Sequence, residues 1–164
     1  MGDHSAPSVV TACRNTALRL LGRREHSVAE LRRKLQERGF DTDTIADVLA
    51  DCRRLGYLDD DRFAHLYSEQ LRRRGYGRLR IEQMLKSKGL SAACVAVCVT
   101  ACCAEAGQIE DCRRVLRKKL QTVSGEATAP RTAERLYRFL MQRGFAAALI
   151  RQVLDELRWP TGGH

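Results

Sequence analysis

The stretch LGYLDDDRFAHL, Leu55 to Leu66, sets three consecutive carboxylates, Asp59, Asp60 and Asp61, behind a glycine and ahead of an apolar run. Oxygen donors of this kind could hold a hard cation or start a helix. A hard cation needs about six oxygens around it, consecutive residues at a helix start diverge, and no second acidic cluster completes a sphere. Capping is therefore the expected role, with the carboxylates accepting from free backbone N–H groups and complementing the helix dipole. No metal is expected there.

Softer chemistry is offered by CVAVCVTACC, where Cys94, Cys98 and Cys102 recur at i, i+4 and i+8 on one helix face. Thiolates so placed could take a soft metal or respond to oxidants. They carry neither a CxxC pair nor a spaced histidine, and the internal repeat described next puts Cys98 where Val48 and Val153 stand and Cys102 where Cys52 and Leu157 stand. Those are core positions, at which free cysteine serves as a small hydrophobe. Cys94 and Cys103 have no such explanation and are expected nearer the surface. His4, His26, His65 and His164 form no constellation with a Ser or Cys nucleophile, and no phosphate loop, nucleophile elbow or zinc-protease helix occurs. No catalytic residue, no metal and no cofactor is expected.

The elements that must position these groups come from self-similarity. SVAELRRKLQERGF, GRLRIEQMLKSKGL and TAERLYRFLMQRGF align on Gly39, Gly89 and Gly144. Eight residues earlier stand Leu31, Ile81 and Leu136, four earlier Leu35, Leu85 and Leu140, and one earlier Arg38, Lys88 and Arg143. An i, i+4 apolar pair, a basic last turn and a glycine describe a one-faced helix with a left-handed stop. Starts agree as well: Ser27 with Glu30 makes a capping box, Gly77 and Thr132 hold the equivalent position, and Asp41 or Ser91 can cap a following helix marked by Ile45/Leu49, Val95/Val99 and Ile150/Leu154. One more helical pattern precedes each pair, and in the last unit TVSGEATAPR reads as an inserted loop. The expected fold is all-α: three tandem three-helix units, residues 8–56, 57–107 and 108–159, in an elongated, curved array whose small cores lean on one another.

Charge narrows the class of partner. The chain has 29 Lys and Arg against 20 Asp and Glu, a net charge of +9, which draws it to polyanions or acidic protein surfaces. Between Leu71 and Leu90 stand Arg72, Arg73, Arg74, Arg78, Arg80, Lys86 and Lys88 with one acid, Glu82. Tyr76, between Gly75 and Gly77, is expected on a flexible elbow with an exposed ring. A second cluster is Arg113, Arg114, Arg117, Lys118 and Lys119. All these residues are candidates for partner or phosphate contact, against the plain reading of solvated helix faces. Aromatics make up 5%, too few for a base-stacking platform. The beginning of the sequence lacks a signal-peptide pattern, no run of about 18 apolar residues occurs, and seven cysteines is an odd number. The expectation is a soluble, cytoplasmic protein with reduced thiols, not seated in a membrane and, lacking a heptad seam, monomeric.

REHSVAELRRKLQERGF, LGYLDDDRFA, RRRGYGRLRIEQMLKSKGL and the closing FLMQRGF, in this order over residues 12–157, resemble the RecX family of bacterial regulatory proteins. The resemblance implies a cytoplasmic, non-enzymatic modulator of the recombinase RecA. Such a protein binds the RecA filament on single-stranded DNA, lodges in its groove, and limits ATP hydrolysis, strand exchange, filament growth and the co-protease activity that triggers the SOS response. It also implies DNA binding, single- and double-stranded, without sequence preference, and a fold of tandem three-helix repeats. On this view the middle basic segment meets acidic protein or phosphate, and reversing the charge of Arg72, Arg73 and Arg74 abolishes inhibition of RecA ATPase without loss of helix. The competing class is a stand-alone DNA-binding helical repeat. A third, a redox- or metal-sensing protein, would use the cysteine face.

Overall fold

A computed structural model of the chain describes residues 8–122 and 130–156. Among these residues there are nine α-helices and no strand: α1 Val9–Leu21, α2 Val28–Gln36, α3 Thr42–Arg54, α4 Asp60–Arg73, α5 Arg78–Ser87, α6 Ala92–Cys102, α7 Glu105–Leu120, α8 Pro130–Gln142 and α9 Ala147–Glu156. They pack as three triads, each around its own core. The aligned positions are equivalent in space: Leu31, Ile81 and Leu136, then Leu35, Leu85 and Leu140, are all 2% exposed or less. Burying such a pair in each unit is what a helix with apolar residues one turn apart can do, and truncating one to alanine costs about 2–5 kcal/mol.

The stops and starts follow the expected chemistry. Gly39, Gly89 and Gly144 sit at φ of +82°, +76° and +85°, in the left-handed region that glycine adopts at little cost. Ser27, Asp41 and Ser91 accept from the backbone N–H of Glu30, Thr44 and Cys94 at 3.1, 2.8 and 3.2 Å. Two details differ from expectation. Glu30 does not close a capping box on Ser27; its carboxylate is drawn to Arg24 and Lys88 at 2.7 and 3.4 Å, where a full ion pair outweighs one neutral N–H donor. Thr132 lies inside α8, which starts at Pro130, a residue suited to the first turn because it has no N–H to leave unpaired. The expected loop at TVSGEATAPR falls largely on residues 123–129, outside the described residues.

The units join through a repeated polar joint. The second helix of each of the first two units is capped by the first helix of the next: Val28 N–H donates to Asp60 Oδ1 at 2.9 Å and Arg78 N–H to Gln108 Oε1 at 2.7 Å. The start of that second helix also rests on the next unit's glycine turn, where Ser27 Oγ donates to the Lys88 carbonyl at 2.6 Å, and Gly77 N–H donates to the Arg143 carbonyl at 2.8 Å. At the second joint the backbones nearly touch. A Cβ on Gly77 would stand 2.5 Å from the Gly144 carbonyl oxygen, and one on Gly144 would stand 2.4 Å from the Arg80 nitrogen. Bidentate Arg62–Glu25, at 2.8 and 3.2 Å, braces the first joint, and Arg72–Asp111, at 2.8 Å, the second. The triads thus stand in series, each joined to its neighbour.

Candidate partner-binding groove

At the second joint the C-terminal end of α4 faces α7 and the last turn of α8, because the Gly77–Gly144 approach fixes their separation. Between them lies a groove of about 270 Å³ lined by Arg73, Arg74, Arg114, Lys118, Lys119 and Arg143 around Val115 and Phe139, with no carboxylate in its wall. Arg73 and Arg114 have acidic partners, Glu69 and Asp111, while Arg74, Lys118, Lys119 and Arg143 have none among the described residues. Several of these charges are held in place by carbonyls and rings as well as, or instead of, carboxylates. Arg143 donates to the Arg74 carbonyl at 2.8 Å and lies over the rings of Tyr76 and Phe139, 5.3 and 5.2 Å from their centroids. Arg114 donates to the Arg72 carbonyl at 2.9 Å, and Lys119 sits 5.4 Å from the Phe139 centroid. Helix-end carbonyls and aromatic faces both favour cations without neutralising them. Guanidinium edges left free in such a groove suit phosphate or carboxylate oxygens.

The candidate residues divide on inspection. Arg73, Arg74, Arg114, Lys118 and Lys119 are brought together. Arg72 is not a free contact: its guanidinium is committed to half of the joint with Asp111, which is 8% exposed. Reversing Arg72 along with its neighbours would set two carboxylates against each other at this joint, so a variant that tests the basic segment should spare Arg72. Tyr76 is corrected too. It is half-buried against the middle core, beneath Arg143, on a turn locked to the third unit, not an exposed ring on a flexible elbow. Arg113 pairs with Glu156 and Glu110, Arg117 with Glu110, and Lys86 with Glu82. Lys88 pairs with Glu30 and lies 5.4 Å from the Tyr67 ring centroid at the first joint. Arg78 and Arg80 are exposed on α5 and do not line the groove. Arg143 was missed as a site residue. Its signal was the basic residue that recurs just before each glycine, which reads as a helix-end charge until the joint is seen.

Two of the three aspartates, Asp59 and Asp60, resolve as caps. Asp59 accepts from Asp61 and Arg62 N–H at 2.9 and 3.0 Å, and those bonds hold its carboxyl below the usual range. Asp60 serves α2 instead of its own helix. Among the described residues no group of three or more His, Cys, Asp or Glu side chains forms a metal cage. The cysteines only partly follow expectation. Cys98 is buried as its repeat position implies, but Cys103, expected near the surface, is 1% exposed and Cys102, expected in the core, is half-exposed. α6 ends at Cys102, and the turn that follows directs Cys103 inward. His65 does meet a thiol, its Nδ1 lying 3.2 Å from Cys102 Sγ; the helix packing of α4 on α6 created a neighbourhood that chain order concealed. His4 and His164 lie outside the described residues. No single helix among the described residues is long and apolar enough to cross a membrane.

Comparison with known proteins agrees with this architecture unit by unit. Residues 13–52, 59–97 and 107–154 match the models for the first, second and third three-helix domains of RecX. Regulatory protein RecX of Legionella pneumophila (strain Corby) is 33% identical over 149 residues, covering 91% of this chain and 97% of that protein. The Chlorobaculum tepidum protein of the same name is 37% identical over 139 residues, covering 84% and 83%. A crystal structure of RecX from Lactobacillus salivarius superposes with a TM-score of 0.77 at 18% identity, covering 91% of this chain and 96% of that one; at that identity it speaks to the fold.

Proposed function

Because this chain belongs to the RecX family, we propose that it regulates RecA by binding the RecA filament on single-stranded DNA and restraining its ATP hydrolysis and growth. It does so in the cytoplasm as a rigid monomeric array with no catalysis of its own. The units, taken as residues 8–56, 57–107 and 108–159, span neighbouring subunits, and the groove at the second joint supplies the anionic contact. Strand exchange and the co-protease activity that triggers the SOS response are restrained by the same occupancy.

The observation that carries this reading is the groove itself, six cations and no carboxylate held between two units by backbone contact. A charged site built across a rigid joint reports on the spacing of its partner's charges as well as their sign. Phosphate contact there makes binding fall with salt, and each cation removed lowers the salt slope by about 1. The test is RecA ATPase on single-stranded DNA, titrated with the wild-type chain and with an Arg74→Glu/Lys118→Glu variant, which spares the Arg72–Asp111 pair. The variant should keep its helical circular dichroism and lose inhibition. Full inhibition by the variant would remove the groove from the mechanism. Equal binding to naked single strands and to filaments would instead favour the DNA-binding repeat for which RecA is incidental.

A further inference from the structure

The first joint carries a cleft of its own, about 480 Å³ in volume. Its apolar lining is the buried Phe63, the half-buried Tyr67 and the exposed Leu66, all on α4. Arg24, Lys88 and Arg74 also line it, and Glu25 is its one acid. We propose that this cleft binds a short acidic peptide segment of a partner protein, with one bulky aliphatic side chain seated against Leu66 and Tyr67 and the carboxylates that follow it running toward Arg74.

Charge is the first argument. Arg24 and Lys88 share the Glu30 carboxylate at 2.7 and 3.4 Å, Glu25 is taken by the bidentate Arg62, and Arg74 has no acidic partner among the described residues. Four cations thus meet two carboxylates, and the excess is complementary to an acidic occupant. Spacing is the second. Phe63, Leu66, Tyr67, Gln70 and the cap residue Arg74 recur at helical intervals on one face of α4. Arg74 lies about 12 Å beyond Leu66 along the axis, which about four extended residues span. The aromatic pair is the third. Phe63 stacks on the Tyr67 ring with centroids 5.4 Å apart, and Lys88 Nζ lies over the same ring at 5.4 Å. A stacking nucleobase needs a free ring face, whereas an aliphatic side chain needs only apolar surface, which Leu66 offers at 46% exposure.

Arg74 lines both this cleft and the groove at the second joint, so one acidic segment can pass from the first into the second. For where its acidic run ends, the inference rests on the reading of that groove as the anionic contact. The aliphatic anchor adds what charge alone lacks, because a single apolar seat at one end of a basic track fixes the direction in which the segment lies.

The full chain is titrated, with fluorescence anisotropy as readout, into a labelled heptapeptide of one leucine, two glycines and four acidic residues, into a control with glycine in place of the leucine, and into a short oligothymidylate. The wild type should prefer the leucine peptide to the control by about tenfold, the worth of one partly buried leucine. Leu66→Ser should lose that preference yet bind the control as the wild type does, a coupling that general damage to the fold does not mimic. Arg74→Ser should weaken both peptides alike. Equal wild-type affinity for the two peptides, or a preference that survives Leu66→Ser, overturns the proposal. Oligothymidylate binding that Leu66→Ser weakens as much as it weakens the leucine peptide overturns it in favour of nucleic acid. Absence of the preference while Arg74→Glu/Lys118→Glu still loses RecA inhibition sinks the cleft alone; a preference present while that variant inhibits fully sinks the groove reading alone.

Discussion

Replacing Gly144 by alanine tests the second joint and the groove together, with Gly39→Ala as its internal reference. Both glycines hold nearly the same conformation, φ of +85° and +82°, so each alanine incurs the same left-handed penalty, about 1–2 kcal/mol. They differ in surroundings. A Cβ on Gly39 meets nothing within 4 Å, whereas one on Gly144 meets Arg80 Cβ and N at 2.4 Å. Restoring ordinary contact at 3.4 Å or more requires a shift of about 1 Å against backbone that has no rotamer to yield. Such a shift breaks the bonds from Gly77 N–H to the Arg143 carbonyl, 2.8 Å, and from Leu79 N–H to the Gly144 carbonyl, 3.0 Å. At roughly 0.5–1.5 kcal/mol each, Gly144→Ala should cost about 1–3 kcal/mol more than Gly39→Ala. Urea unfolding followed by helical circular dichroism measures the difference. The same shift carries Arg143 and Phe139 away from Arg74, so RecA inhibition should fall although every cation is retained. Equal destabilisation by the two alanines, or undiminished inhibition by Gly144→Ala, would refute the claim that backbone contact at this joint builds the groove.

Acid should loosen the first joint in two successive windows. Burial, reinforced by Arg24, holds the His26 imidazole down at about 4 from its ordinary 6.5, so between those values the unfolded chain binds a proton that the folded chain refuses. Stability therefore drops as pH falls through that interval, by about 1–3 kcal/mol, and His26→Asn should flatten this segment of a pH–stability curve. Glu30, held at about 2 by its bonds to Arg24 despite burial, stays ionised in the fold below the ordinary 4.5, so its contribution is lost over the lower window; coincident curves for wild type and His26→Asn above pH 4 would remove the histidine from the account. Removing the borrowed caps with Asp60→Ala or Gln108→Ala should cost about 1 kcal/mol each, seen as faster amide exchange at Val28 or Arg78; protection unchanged at those amides would show that water satisfies them equally.

The fold was written in the sequence because its signals are local and threefold. A leucine pair, a basic turn and a glycine specify a helix and its stop within about 14 residues, and three copies in register leave little freedom. What joins the copies was not legible. Val28 is satisfied by Asp60 and Arg78 by Gln108 across about 30 residues, and neither Asp60 nor Gln108 differs in type from a surface residue. The basic segment was visible as composition, but whether a given arginine is free depends on which acid the packing delivers, so Arg72 and Arg74, two positions apart, have opposite fates. His65 and Cys102 belong together for the same reason, being 37 residues distant and adjacent only once α4 lies on α6.

The borrowed caps also impose an order in time. As the chain leaves the ribosome, α2 is fully written long before Asp60 emerges, and α5 before Gln108. Each of the first two triads thus keeps a bare amide until its successor begins to coil. A product cut short after one or two triads would leave the Val28 or Arg78 N–H open to water at the start of its second helix.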